Sequence, residues 1–134
     1  MTDFSPYLEE QVFRHFFRGD EAGDEADRPT QYQMSLHNGD PSESGTDNEA
    51  AGSGYVRQPI VFAVPVDSSP TTISNSVVVE FEDMPAGSWS HSFLWGMVSS
   101  VWQPMGRGTF VQARTTTSGD TVRFGIGDVT YELD

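Results

Sequence analysis

The sequence predicts an all-β fold: a single β-sandwich (jelly-roll-like) domain that carries an N-terminal amphipathic α-helix. Three observations predict it. Short runs rich in Val, Thr and aromatic residues recur from Thr30 to the C-terminus, the spacing expected of a sandwich or small barrel. Gly-Asp and Met-Pro-Ala-Gly punctuation separates these runs. Apolar residues at helical spacing occur only before residue 19. The 134 residues suit one domain, divided as a helical arm (1–19), an acidic linker (20–29) and the sandwich (30–134).

The helix is expected to start at Ser5, an N-cap type followed by Pro6, a residue favoured at the first helical position. Glu9 and Glu10 lie near the positive end of the helix dipole, Arg14 and Arg18 near the negative end, and Gly19 suits the stop. Tyr7, Leu8, Val12, Phe13, Phe16 and Phe17 form a wide apolar stripe. Burying one such side chain is worth about 1.5–3 kcal/mol, so the stripe must dock, either on its own domain or on a neighbouring subunit. Asp20–Asp27 has no apolar periodicity and reads as solvated.

Tyr32, Met34 and Leu36 alternate with polar residues and predict a half-buried strand, ended by His37-Asn38-Gly39-Asp40-Pro41. Residues 42–54 read as a long polar loop. Ile60–Val64 reads as a buried strand, followed by strands at Thr71–Ile73, Val77–Phe81, Ser90–Val98, Thr109–Thr115, Thr121–Phe124 and Val129–Leu133. Phe93 and Trp95 share one strand face and Leu94 takes the other. Trp102-Gln103-Pro104-Met105 reads as a turn, where Trp102 and Met105 would be available to a partner. In Gly52–Ile60 the glycines free the chain to turn into the sheet. Tyr55 and Arg57 fall on one face, and Arg57 is expected to fork onto a carboxylate or loop carbonyls and anchor the loop.

Composition excludes several functions. Without Cys there is neither a disulfide framework nor a thiolate metal site. Twenty acidic residues against seven basic ones give a net charge of −13, which opposes nucleic-acid binding. No apolar run approaches membrane-span length and no secretory leader is visible; a protein made in a cytoplasm, with no membrane partner, is expected. All seven basic residues are Arg and Lys is absent. Such acidity self-repels at moderate salt and suits molar salt, where the Debye length is about 3 Å. It resembles proteins of extreme halophiles.

Sites of chemistry are few. His15, His37 and His91 lack metal-ligand spacing to one another. Carboxylate pairs are abundant simply because the chain is acidic. The oxygen-rich segment Asp40–Glu49 has the donors for a Ca²⁺ or Mg²⁺ ion without the spacing of a calcium hand. Exposed Trp89 and Trp102 would suit a carbohydrate-binding module. No catalytic residue, cofactor site or metal site is assigned, and the chain is not expected to be an enzyme.

Five stretches together carry a family resemblance: SPYLEEQVFRHFFRG (5–19), YQMSLHNGDP (32–41), GSGYVRQPIVF (52–62), VVVEFEDMPAGSWSHSFLWG (77–96) and SGDTVRFGIGDVTYELD (118–134). The chain resembles small virion proteins of tailed phages, of the minor-tail or tail-fibre-associated kind. The pattern carries over at Leu36, Pro41, Tyr55, Arg57, Gln58, Gly87, His91, Trp95, Gly119, Asp120 and Gly127. The resemblance implies a non-enzymatic β-sandwich assembling as an oligomer in the tail or adsorption apparatus. Its partners would be other copies and other virion proteins, and a host surface glycan or glycoprotein. A capsid decoration or vertex (turret) protein is the alternative. Combined with the Lys-free acidity, it implies a tailed virus of a haloarchaeon. Ser99–Arg107 replaces the short turn usual in the family, which places a member-specific contact there.

Overall fold

The computed structural model describes residues 2–10, 29–64 and 71–133. It shows the all-β sandwich with a short N-terminal helix. In chain order the strands are β1 (Thr2–Phe4), β2 (Tyr32–His37), β3 (Gln58–Pro59), β4 (Thr71–Ser74), β5 (Val79–Met84), β6 (Gly87–Val98), β7 (Val101–Thr116), β8 (Asp120–Phe124) and β9 (Thr130–Leu133). An antiparallel five-stranded sheet runs β1-β7-β6-β2-β3, and two ribbons, β4-β9 and β5-β8, accompany it.

The β6–β7 hairpin is the spine. It turns at Ser99 and Ser100, both left-handed at φ 49° and 66°, with Val98 opposite Val101; this is a two-residue turn of the kind whose twist matches its strands. The turn expected at Trp102–Met105 is therefore absent, and those residues lie inside β7. Pro104 is accommodated opposite Trp95, where the register shifts between Leu94 and Trp95, because a bulge relieves proline of the ladder bond it cannot donate. A second shift leaves residues 110–113 opposite Ser90 alone. Phe110 stacks on Phe124 there, with ring centroids 5.1 Å apart.

Antiparallel pairing places Met34 opposite Leu94 on one face and Ser35 opposite Phe93 on the other. The Leu94 face joins the main core with Phe81, Val79, Val122, Phe124 and Tyr131 of the ribbons. Phe81 and Phe124 meet edge to face at 6.3 Å. Tyr131 is fully buried with its hydroxyl 3.1 Å from Ser92 Oγ, and burial pushes its pKa up to about 12. Trp89 belongs to this core at 3% exposure, its indole N–H donating to Thr116 Oγ1 at 2.9 Å. It is thus not an exposed ring for stacking on a sugar.

Ile60–Val64 departs from the expected buried strand. Ile60 is buried, yet Val61 and Val64 are 54% and 86% exposed, and Phe62 makes a lone bridge to Asn75. At the other end of the chain, the backbone begins as an edge strand on β7, with Thr2 opposite Gly108 and Phe4 opposite Gly106. The helix follows from Pro6. The stretch 11–28, which holds all of the acidic linker but its last residue, lies outside the described residues.

Candidate functional site

The loop that begins after β2 is not solvated along its length; it folds back over the second face of the five-stranded sheet. Asn38 N donates to Asn48 O and Ala50 N to Leu36 O, at 3.0 and 2.9 Å, so the returning chain pairs with the end of β2. Gly45 sits on the Phe93 ring: an added Cβ would lie 2.5 Å from ring carbons, and its φ of 75° is left-handed. Phe93 and Trp95 pack together at 4.9 Å beneath this loop.

A chain of hydrogen bonds runs through that second core. Trp95 Nε1–H donates to Ser35 Oγ at 2.9 Å, and Ser35 Oγ lies 2.8 Å from His37 Nε2. His37 Nδ1 lies 2.7 Å from the Asp47 carbonyl, which can only accept. The neutral ring therefore carries its proton on Nδ1, and Ser35 donates to Nε2. His37 is fully buried, and desolvation lowers its pKa against the opposing pull of the Asp47 carbonyl and Glu49.

Beside it, Arg57 forks onto Glu49, with Nε to Oε2 at 3.0 Å and Nη2 to Oε1 at 2.9 Å. The Tyr55 hydroxyl donates to the same Oε2 at 2.9 Å and accepts from Leu36 N at 3.1 Å. The Arg57 guanidinium lies 3.9 Å above the Trp95 ring, and the Tyr55 ring stacks parallel to Phe81. Burial pushes the Glu49 carboxyl up, but hydrogen bonds from Arg57 and Tyr55 outweigh it and the net shift is downward. Desolvation, the largest influence on Tyr55, raises its pKa. Tyr55 and Arg57 thus clasp Glu49 at the point where the loop returns. Sequence reasoning found the two clasping residues but not Glu49 or His37. Nothing local distinguishes Glu49 from the other acidic side chains, and His37 looks like any residue opening a turn.

The residues expected to meet a partner fall in three places. Ser5 caps the helix: its Oγ accepts from Leu8 N at 3.2 Å and its hydroxyl donates to the Pro104 carbonyl. Ser5 N donates to Met105 O at 2.7 Å. Tyr7 and Leu8 are half-buried against the chain's own core. Met105 is 2% exposed, within that core, and Trp102 is partly exposed on β7 opposite Met97. Val12, Phe13, Phe16 and Phe17 lie outside the described residues, as does His15.

One further surface was not legible in the sequence. The Asn75 side chain donates to Val77 O and Gly125 O, at 2.8 and 2.9 Å, and accepts from Val129 N at 2.9 Å. Its backbone carbonyl accepts from Gly127 N, and the neighbouring Ser76 N donates to Val61 O. This buried amide gathers three segments, each of which leaves an aliphatic side chain in water: Val61 and Val64, Val77 at 51% and Ile126 at 69% exposure.

The remaining concavities offer little chemistry. A groove of about 760 Å³ beside the β7 bulge is lined by Phe110, Arg114, Thr121, Arg123, Asp120 and Asp128, among others. Its carboxylates cap turns: Asp120 accepts from Thr117 N and Asp128 from Gly125 N. In the Asp40–Glu49 loop, Asp40 pairs with Arg107 at 2.9 Å and Glu49 with Arg57. Among the described residues no group of three or more His, Asp or Glu side chains is placed to hold a metal ion. No described helix is long and apolar enough to cross a membrane.

Comparison with known families matches residues 3–132 to the model described as Podophage GP4 fiber I protein gp80. The match spans nearly the whole fold, and the chain belongs to that family. No curated protein sequence matches the chain.

Proposed function

We propose, from this membership of a phage fibre-protein family, that the chain is a non-enzymatic building block of the tail and its adsorption apparatus, assembled in several copies. One observation carries the reading: the family match covers residues 3–132, so the sandwich as a whole, rather than a segment of it, corresponds to a fibre protein. The site geometry supports it. The Tyr55–Arg57–Glu49 clasp holds a loop in place, which is work for a rigid component.

Contacts between copies would use apolar surface that the fold leaves over. Tyr7, Leu8 and Met105 are engaged within the chain; the remaining candidates are Val12, Phe13, Phe16 and Phe17 of the N-terminal stripe, Trp102 and the aliphatic end around Asn75. That end carries no charged residue from 60 to 64 or 73 to 77 and one, Asp128, from 125 to 129, so two chains of net charge −13 would meet there with little like-charge opposition. A host glycan or glycoprotein contact would draw on Trp102, since Trp89 is buried. The Lys-free acidity favours a host with molar cytoplasmic salt, a haloarchaeon.

Sedimentation and light scattering at about 1 M salt, where the repulsion is screened, test the assembly. The expected result is a defined oligomer that Val61→Asp with Val77→Asp, or Phe16→Asp, dissociates without loss of fold. A folded monomer at every salt concentration would overturn the reading of self-assembly.

A further inference from the structure

The chain has three asparagines, Asn38, Asn48 and Asn75, and the fold treats them in opposite ways. Asn38 is exposed and precedes Gly39. Its own amide is fixed by the bond to Asn48 O at 3.0 Å. Among the described residues its carboxamide has no hydrogen-bond partner, and neither has the Gly39 amide. Glycine places no Cβ in the way of its own nitrogen and lets the backbone rotate freely.

Asn75 precedes Ser76, also a small residue, but is 1% exposed and its side chain makes the three bonds described above. The Ser76 amide is engaged by Val61 O at 2.8 Å. Asn48 precedes the bulky Glu49, and its Nδ2 donates to Asp40 O at 2.9 Å.

We propose that Asn38 is a site of spontaneous covalent modification, the one asparagine of this chain whose folded surroundings permit cyclisation onto the next residue. The Gly39 nitrogen, losing its proton, attacks Asn38 Cγ. The new N–Cγ bond closes a succinimide as the Cγ–Nδ2 bond breaks, and Nδ2 leaves as ammonia with the transferred proton. Water then opens the ring at either carbonyl, giving aspartate or isoaspartate. The net change is amide plus water to carboxylic acid plus ammonia, with no oxidation or reduction.

The consequence is local and structural. A new carboxylate appears beside Asp40, whose own carboxylate accepts from Ser42 N and pairs with Arg107. Isoaspartate also adds one backbone carbon at the rung between Asn38 and Asn48. Both changes strain the root of the loop that covers Phe93 and Trp95, so residues 42–49 loosen while the main core on the opposite sheet face is untouched.

The test is peptide mapping by mass spectrometry of the full chain held at mildly alkaline pH, folded and in urea, with fragmentation that separates aspartate from isoaspartate. Asn38 is expected to convert in the folded chain at a rate within a few-fold of the unfolded one, while Asn75 converts only in urea. Asn38→Gln should abolish the folded-state conversion. Hydrogen exchange on the converted fraction should show faster exchange at residues 42–49. Protection of Asn38 by about tenfold or more on folding, or conversion of Asn48 or Asn75 at the rate of Asn38 in the folded chain, would overturn the proposal. Conversion with unchanged exchange at 42–49 would overturn its structural consequence.

Discussion

Replacing Arg57 by Ala removes a clasp whose parts can be weighed separately. The two hydrogen bonds to Glu49, at 2.9 and 3.0 Å, are charge-assisted and bidentate, the stronger class of such contacts. Exposed ion pairs contribute about 0–1 kcal/mol, whereas breaking a buried one costs about 3–5 kcal/mol. The side chains here retain 27% and 19% exposure, which puts this pair between those limits. The guanidinium over Trp95 at 3.9 Å adds about 0.5–2 kcal/mol. Among the described residues Glu49 would keep only the Tyr55 hydroxyl. A destabilisation of about 2–4 kcal/mol follows.

Urea unfolding at neutral pH measures it, with Glu49→Gln as the second arm of a double-mutant cycle and a coupling of about 1–2 kcal/mol expected. Hydrogen exchange should quicken at Asp47 and Ala50, whose amides bond to Pro41 O and Leu36 O. It should stay slow at Val122 in the opposite core. A stability change under about 0.5 kcal/mol with unaltered exchange would refute the argument that Arg57 holds the loop. Binding to a partner lost from a protein of unchanged stability would refute it equally, since Arg57 would then be a contact residue.

Three other outcomes follow from the same geometry. Because burial lowers the His37 pKa below its ordinary value of 6.5, the unfolded chain binds that proton first. Stability should hold above that pH and fall as pH drops through it, with Glu49, Arg57 and His91 as the charged neighbours. The Glu49 contribution goes further down, since its pKa is lowered from 4.5; denaturant midpoints across pH would show the two steps, and His37→Gln should remove the upper one. Gly45→Ala drives a methyl into the Phe93 ring at a left-handed φ and should cost about 2–4 kcal/mol, read by thermal unfolding. Ser5→Ala removes the cap on Leu8 N and the bond to the Pro104 carbonyl; a loss of about 1 kcal/mol with faster exchange at Leu8 is expected.

Where side-chain pattern and burial coincide, the sequence was a good guide. Tyr32, Met34 and Leu36 alternate, and β2 runs Tyr32–His37; Phe93 and Trp95 do share a face opposite Leu94. It misled where proline and glycine stood in for turns. Pro104 suggested a corner, but a bulge absorbs it, and the true corner is Ser99-Ser100, two residues with no special claim to positive φ. Ile60–Val64 is apolar enough for a core strand, yet the Asn75 hub holds that backbone at the surface and buries only Ile60 well. The loop after β2 looked solvated because its anchors are long-range: His37 to Asp47, Glu49 to Arg57, Gly45 to Phe93. Each of those residue types is unremarkable until the fold brings its partner near.

The central claim is that this sandwich is a structural component of a virus tail. Quantitative mass spectrometry of purified virions, with heads and tails separated, tests it most directly. The account predicts the chain in the tail fraction, in several copies per particle and without any processing that removes the sandwich. Recovery with the capsid shell, or absence from intact particles, would contradict it.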